Sequence, residues 1–310
     1  MIPSLQRVAL AAGDDGPRAA LAPLLAFGAQ WGEARTGLAA LVCGTSQSDA
    51  GFALEAATRR QAANLGIPVA CIEDFPGNYR PVEGAPTRKL IVEGEFSEAL
   101  YRRRLGSKCP ELVVVAPARY DTLRGREANP GSAKPPYRVL WAGQPETSAC
   151  LATLEAITPF LRSEDVELLF RAHPRDPGHP AAYRALGFPL KNVTAAPIEE
   201  LYRAPLDLVV TQYSSIAVEA GFLGVPSVHV LLPEAGGGLL LQQKGYSVPM
   251  PCEAGASFLV EGRASLHILE RALRDAPARR AVISRFRESY HADTPQAPKL
   301  LDALAGIIAP

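Results

Sequence analysis

The chain has 310 residues, and its 32 Lys and Arg balance 32 Asp and Glu to a formal net charge of zero. That balance excludes a strongly cationic nucleic-acid or polyanion binder, and 47% hydrophobic residues exclude wholesale disorder. The length exceeds what one core usually organises, so two domains are expected.

Strand-like and helix-like runs alternate along the chain, the pattern of parallel sheets with crossover helices. Residues 7–12 read as the first strand, followed by "GDDG" at 13–16 and an Ala/Leu-rich helix over 18–27. Residues 37–43 are a second strand, with "GTSQSDAG" and a helix over 52–65 behind it. A third strand, 69–72, runs into "EDFPGNYR" at 73–80; a short strand over 89–92, a helix over 97–105 and an apolar run over 112–115 close the first unit. Residues 125–136, "GREANPGSAKPP", are polar and rich in Pro and Gly, and read as a linker.

A second alternation begins at the strand 139–142 and helix 148–161. The strand 166–170 enters "RAHPRDPGHP" at 171–180, and a short helix over 181–186, a strand over 193–195 and a helix over 198–202 follow. Then comes "DLVVTQYSSIAVEAGFLGVPSVHV" at 207–230: a buried parallel strand over 208–210, a helix over 216–223 capped by Ser214 or Ser215, a stop at Gly224 and Pro226, and another strand over 227–232. Helical patterns over 264–274, 278–290 and 298–308 end the sequence. The domains are thus expected at 1–124 and 137–275, with 276–310 as helices packing back on the first domain.

The five cysteines, 43, 71, 109, 150 and 252, form no CxxC pair and no zinc spacing, and read as small core residues. No basic stretch precedes an apolar run at the N-terminus, and no apolar segment reaches about 18 residues, so a cytoplasmic protein without a spanning helix is expected. There is no GxGxxG after the first strand and no GxxxxGK[ST], which disfavours an ordinary dinucleotide oxidoreductase or P-loop enzyme.

Chemistry is expected at strand ends, where open α/β sheets bind ligands. Ser214 and Ser215 stand between a strand and a helix, with free N–H groups that suit phosphate. Glu219 lies one helical turn beyond Ser215, placed to accept from a ribose diol. His173 ends another strand before Pro174 and can donate to a phosphate oxygen, with Arg171 and Arg175 beside it. "GGGLLLQQKGY" at 236–246 offers Gly237 for close backbone approach and Gln242 and Gln243 as polar contacts.

A strand-end "HP" followed by "DLVVTQYSSIAVE" resembles the nucleotide-binding domain of GT-B glycosyltransferases. It is especially similar to the bacterial capsule group with HP and SS motifs and to the teichoic-acid glycerophosphotransferases, over roughly residues 137–250. "SSIAVEAGFLGVP" also resembles the donor-domain segment of the peptidoglycan N-acetylglucosaminyltransferase. The resemblance implies two Rossmann-like domains whose parallel sheets face a cleft. It implies phosphate contacts for His173, Ser214 and Ser215, a place for Tyr213 among the nucleotide-binding residues, a ribose contact for Glu219, and donor-sugar contacts for Gln242 and Gln243. Retaining GT-B enzymes often carry two glutamates eight positions apart; Thr211 stands eight before Glu219, so an inverting mechanism is expected. The 2-epimerase signature is absent after Pro226, and "IEDF" at 72–75 puts Phe75 where the capsule sialyltransferases have glycine.

An inverting transferase needs a base for the acceptor hydroxyl. Asp14 with Asp15 and Glu73 with Asp74 end strands of the first domain, and paired carboxylates raise one pKa, which suits a base. Asp49 reads as a helix cap, and "NYR" at 78–80 as an acceptor contact or turn brace. His173 and His179 offer no metal spacing, so a metal-independent mechanism without cofactors is expected. The expected partners are a UDP- or CMP/CDP-type donor and a glycan, lipid-linked or small-molecule acceptor, with no nucleic acid. A UDP-N-acetylglucosamine 2-epimerase-like isomerase or hydrolase, and a non-catalytic protein of the same fold, are the alternatives.

Overall fold

The computed structural model describes residues 5–129, 131, 132, 134–176, 181–187, 189–196 and 198–308. The chain forms two compact units: residues 1–122 with 294–310, and residues 123–293. His179 lies outside the described residues.

The first unit holds β1 (Val8–Ala11), β2 (Gln30–Trp31), β3 (Ala40–Cys43), β4 (Val69–Ile72), β5 (Lys89–Val92) and β6 (Glu111–Val114). They pair in parallel in the order β2-β1-β3-β4-β5-β6. The inner strands are buried on both faces, as parallel sheets require. Val8 and Leu10 pack with Leu300, Leu301, Leu304 and Ile307 of the final helix Ala297–Ile308. Ala9 and Ala11 face the other way, among Leu41, Cys43, Ala62 and Tyr101.

The second unit holds β7 (Tyr137–Ala142), β8 (Val166–Arg171), β9 (Lys191–Asn192), β10 (Leu208–Thr211), β11 (Ser227–Val230) and β12 (Phe258–Val260). These too pair only in parallel, in the order β12-β11-β10-β7-β8-β9. Val139 and Trp141 share one face with Leu154, Leu269 and Leu273, and Leu140 and Ala142 share the other with Leu201 and Ala220. Two six-stranded parallel sheets make the protein α/β with two Rossmann-like units. In each sheet the strand order reverses at one place: between β1 and β3 in the first, and between β7 and β10 in the second. Such switch points open the crevice in which doubly wound sheets bind ligands.

Several elements differ from the sequence reading for local reasons. The expected helix 18–27 is a helix Asp15–Leu21 followed by a 3-10 segment Ala22–Phe27, and the expected helix 148–161 divides into Thr147–Ala156 and Thr158–Leu161. Pro23 and Pro159, which have no N–H to donate, sit at the start of each second piece. The strand expected over 193–195 is Lys191–Asn192, and β2 and β12 are additions. The helices of 276–310, drawn as one group from the sequence, divide between the units. Helix Ala276–Ser289 belongs to the second, where Phe286 stacks on Tyr290 at 4.5 Å and meets Phe222 edge-on at 5.1 Å. The polar stretch read as a linker is bonded into the second unit: the Asn129 amide donates to the carbonyls of Tyr202 and Ala204, and the Ser132 N–H donates to Asp207 Oδ1 at 2.7 Å.

Candidate functional site

At the carboxyl edge of the second sheet, β7, β8, β10 and β11 deliver the side chains expected to carry chemistry. His173 follows β8, and its Nδ1 accepts the Arg175 backbone N–H at 3.1 Å. The neutral ring therefore carries its proton on Nε2. Burial, and then the Arg175 charge, hold the His173 pKa below the ordinary value, while Glu146 and Asp176 oppose them. Asp176, itself buried, accepts from the hydroxyls of Thr147 and Tyr183 and pins the loop that bears His173.

Tyr213, Ser214 and Ser215 follow β10. Their loop is held from beneath by three buried groups. Thr211 Oγ1 donates to Ala142 O at 2.7 Å and accepts the Ser214 N–H at 3.1 Å. The Gln212 amide donates to Thr153 Oγ1 and to Ala235 O, at 3.1 and 2.9 Å. His229, on β11, lies with Nδ1 2.9 Å from Gln212 O, and burial pushes its pKa down to about 4, so it is a neutral donor to that carbonyl. Ser215 holds the N-cap position of helix Ile216–Phe222 without using its side chain as a cap. Ser214 Oγ accepts the Ile216 N–H at 3.3 Å. Both serines are half-buried at the sheet edge. Glu219 lies in the first turn, with the Tyr202 hydroxyl 3.4 Å from Oε2.

Glu146, which the sequence reading passed over, joins these elements. It follows β7, across the switch point from β10, and accepts from the Tyr213 hydroxyl at 3.2 Å and from the Gln243 amide at 2.9 Å. Burial and Glu146 together hold the Tyr213 phenol well above its ordinary pKa, so it stays a donor. Gln243 and Gln242 belong to a short helix, Leu239–Lys244. Gly237 approaches backbone, but that of its own unit: a Cβ there would lie 2.6 Å from Leu231 O and 2.8 Å from Leu232 O. Arg171 is spent on the loop after β9, donating to Ala196 O at 2.6 Å and Val193 O at 3.3 Å. Pro174 turns the chain out of the sheet after His173.

In the first unit the four candidate acids are placed differently from one another. Asp14 accepts the N–H groups of Gln47 and Ser48, both at 2.9 Å, and the Ser48 hydroxyl at 2.5 Å, clamping the loops after β1 and β3 together. Asp15 is exposed in the first turn of its helix. Glu73 is buried, accepting the Tyr101 hydroxyl at 2.6 Å and the N–H groups of Gly77 and Glu93 at 3.1 and 3.2 Å; burial raises its pKa. Asp74 is half-buried, accepting from Thr45 Oγ1 at 2.6 Å and the Asn78 amide at 3.1 Å. Its Oδ2 faces Gly16, where a Cβ would sit 2.7 Å away. A further acid, Glu93, pairs with Arg119 at 2.7 Å beneath this edge. Burial outweighs Arg119 and pushes Glu93 up to about 8. Asp49 lies 3.6 Å from Arg80, and its neighbour Ser48 caps the helix Asp49–Asn64. Among the described residues no group of three or more His, Cys, Asp or Glu has the geometry of a metal site, and no helix is long and apolar enough to cross a membrane.

No family model and no curated protein matches the sequence. Solved structures do match the fold. The chain is similar to the wall teichoic acid polymerase TagF soaked with CDPG, at 11% identity over 98% of this chain and 89% of that one, with a TM-score of 0.56. It is similar to CalG4, the calicheamicin glycosyltransferase, at 15% identity over 98% and 99%, with a TM-score of 0.56. It is also similar to the UDP-GlcNAc 2-epimerase from Neisseria meningitidis bound to UDP-GlcNAc, at 13% identity over 93% and 79%, with a TM-score of 0.54. The shared feature is the GT-B class of fold, which hosts both kinds of chemistry.

Proposed function

We propose that the protein is an inverting GT-B-type transferase that moves a sugar or polyol phosphate from a UDP- or CMP/CDP-activated donor to a glycan, lipid-linked or small-molecule acceptor. The observation that carries the reading is the convergence of His173, Glu146 and the Tyr213–Ser215 loop around the switch point of the second sheet. His173 Nε2–H and the hydroxyls of Ser214 and Ser215 bind the donor phosphates. Glu219 accepts from the ribose. Glu146 and Gln243 form the polar wall on the sugar side. Similarity to a polymerase soaked with CDPG and to a glycosyltransferase supports the class of reaction.

In the reaction the acceptor oxygen attacks the transferred centre, a first-unit carboxylate takes its proton, and the nucleotide leaves with the bonding electron pair. His173 and the serines stabilise the charge that develops on the leaving phosphate. Asp14 and Glu73 are fully engaged in holding loops. Exposed Asp15 is therefore the carboxylate we assign first to the base, with half-buried Asp74, whose Oδ1 accepts from Thr45 and Asn78, as the second. Incubation with UDP-N-acetylglucosamine, with and without glycan acceptors, tests the class. A transferase leaves the donor intact until an acceptor is supplied; its conversion to the 2-epimer or its hydrolysis without acceptor would overturn the reading in favour of an epimerase or hydrolase.

A further inference from the structure

A concavity of the first unit lies away from all these residues. It runs beside the edge strand β2, between the loop after it and the carboxyl-terminal turn of helix Asp49–Asn64, and has a volume of about 430 Å³. That is within the usual range of small-molecule sites, about 300–1,000 Å³. Its floor is the buried start of β1. Its walls carry Trp31, 38% exposed, with Gln6, Gln30, Gln61, Glu33 and Arg35. No described hydrogen bond or ion pair engages the side chains of those five polar residues.

We propose that this concavity is a binding site for an uncharged saccharide. Amides, a carboxylate and a guanidinium are planar groups that pair with adjacent hydroxyls two at a time. An indole offers a flat apolar surface and a polar edge to a sugar ring. Glu33 and Arg35 in the wall carry opposite charges, and the Arg18 guanidinium lies over the Trp31 ring at 5.2 Å. The inference goes beyond the transferase reading: no wall residue belongs to the strand ends that hold the donor.

The chain has two tryptophans, and Trp141 is fully buried, so Trp31 reports on the site. Glucose, galactose, N-acetylglucosamine, cellobiose, lactose and chitobiose are titrated against the full chain. Acrylamide quenching of Trp31 and amide chemical shifts are followed. The expected result is saturable protection and shifts with at least one sugar. The shifts are lost in Trp31→Ala, weakened at least about fivefold in Gln61→Ala, and unchanged in His173→Ala. No saturable response to any of the six sugars, or a response that survives in both wall variants, overturns the proposal. So does protection of Trp31 by dimerisation without sugar, which would assign this face to a second copy of the chain. A sugar response with no nucleotide binding would leave this site standing and remove the donor site.

Discussion

The Arg175 backbone N–H donates to Nδ1 of His173 at 3.1 Å, so a two-residue turn decides which ring nitrogen faces outward as a donor. Burial and the Arg175 guanidinium keep this ring neutral below the ordinary histidine value. The proton that charges the ring goes on Nδ1 at the expense of the Arg175 N–H bond, and the charged ring binds phosphate through Nε2–H more strongly than the neutral one. CDP affinity is therefore expected to rise as the pH falls below 6.5. In Arg175→Ala, which removes a neighbouring positive charge, the midpoint of that rise moves to higher pH. Titration calorimetry of both proteins across pH 5 to 8 checks this; coincident midpoints would remove Arg175 from the account.

His229 supports the serine loop from below in its neutral form, with a pKa near 4 against an ordinary 6.5. The folded state binds fewer protons than the unfolded one between those values. Stability is thus complete above 6.5 and is lost as the pH falls toward 4, by up to about 3 kcal/mol. His229→Asn keeps a side-chain donor near the Nδ1 position but does not titrate. Urea unfolding at pH 7 and pH 5 is expected to show a smaller loss in the variant than in the parent.

Glu93 has the opposite sign. Its pKa is raised from 4.5 to about 8, so the folded state holds a proton that the unfolded state releases. Its contribution is complete below 4.5 and is lost as the pH rises through 8. Between pH 6.5 and 8, where His229 is silent, the parent is expected to lose on the order of 2 kcal/mol more than Glu93→Gln. Equal slopes in that window would show that Glu93 is ionised by its partner Arg119 throughout.

Gly237 and Gly238 are adjacent but not equivalent. A Cβ at Gly237 meets two backbone carbonyls within 3 Å, whereas one at Gly238 meets nothing within 4 Å. Gly237→Ala is expected to cost about 1–3 kcal/mol, with Gly238→Ala close to neutral. Thermal unfolding of the two variants compares them directly.

The alternation of apolar runs was enough to read the inner strands of both sheets, because residues such as Val69–Ile72 and Lys89–Val92 are buried on both faces and leave no competing pattern. The edge strand Gln30–Trp31 was invisible for the converse reason: two exposed residues carry no periodicity. The strand ends bearing His173 and Ser214 were legible because a motif accompanied the strand. Glu146 was not. It sits in "GQPE" after β7, and its partners Tyr213 and Gln243 lie 67 and 97 positions away. Its one local signal was its place just beyond a strand, the place His173 and Ser214 also hold. The buried pair of Glu93 and Arg119 likewise exists only once β5 and the segment after β6 are side by side.

The donor site is tested most directly by titrating UDP, CDP and CMP into the full chain, into His173→Ala and into Ser215→Ala. At least one nucleotide is expected to bind the parent, with its affinity reduced roughly tenfold or more in each variant, the equivalent of about 1.4 kcal/mol or more. Binding that is equally tight in all three proteins, or that shifts amide resonances only in the first unit, would contradict the account.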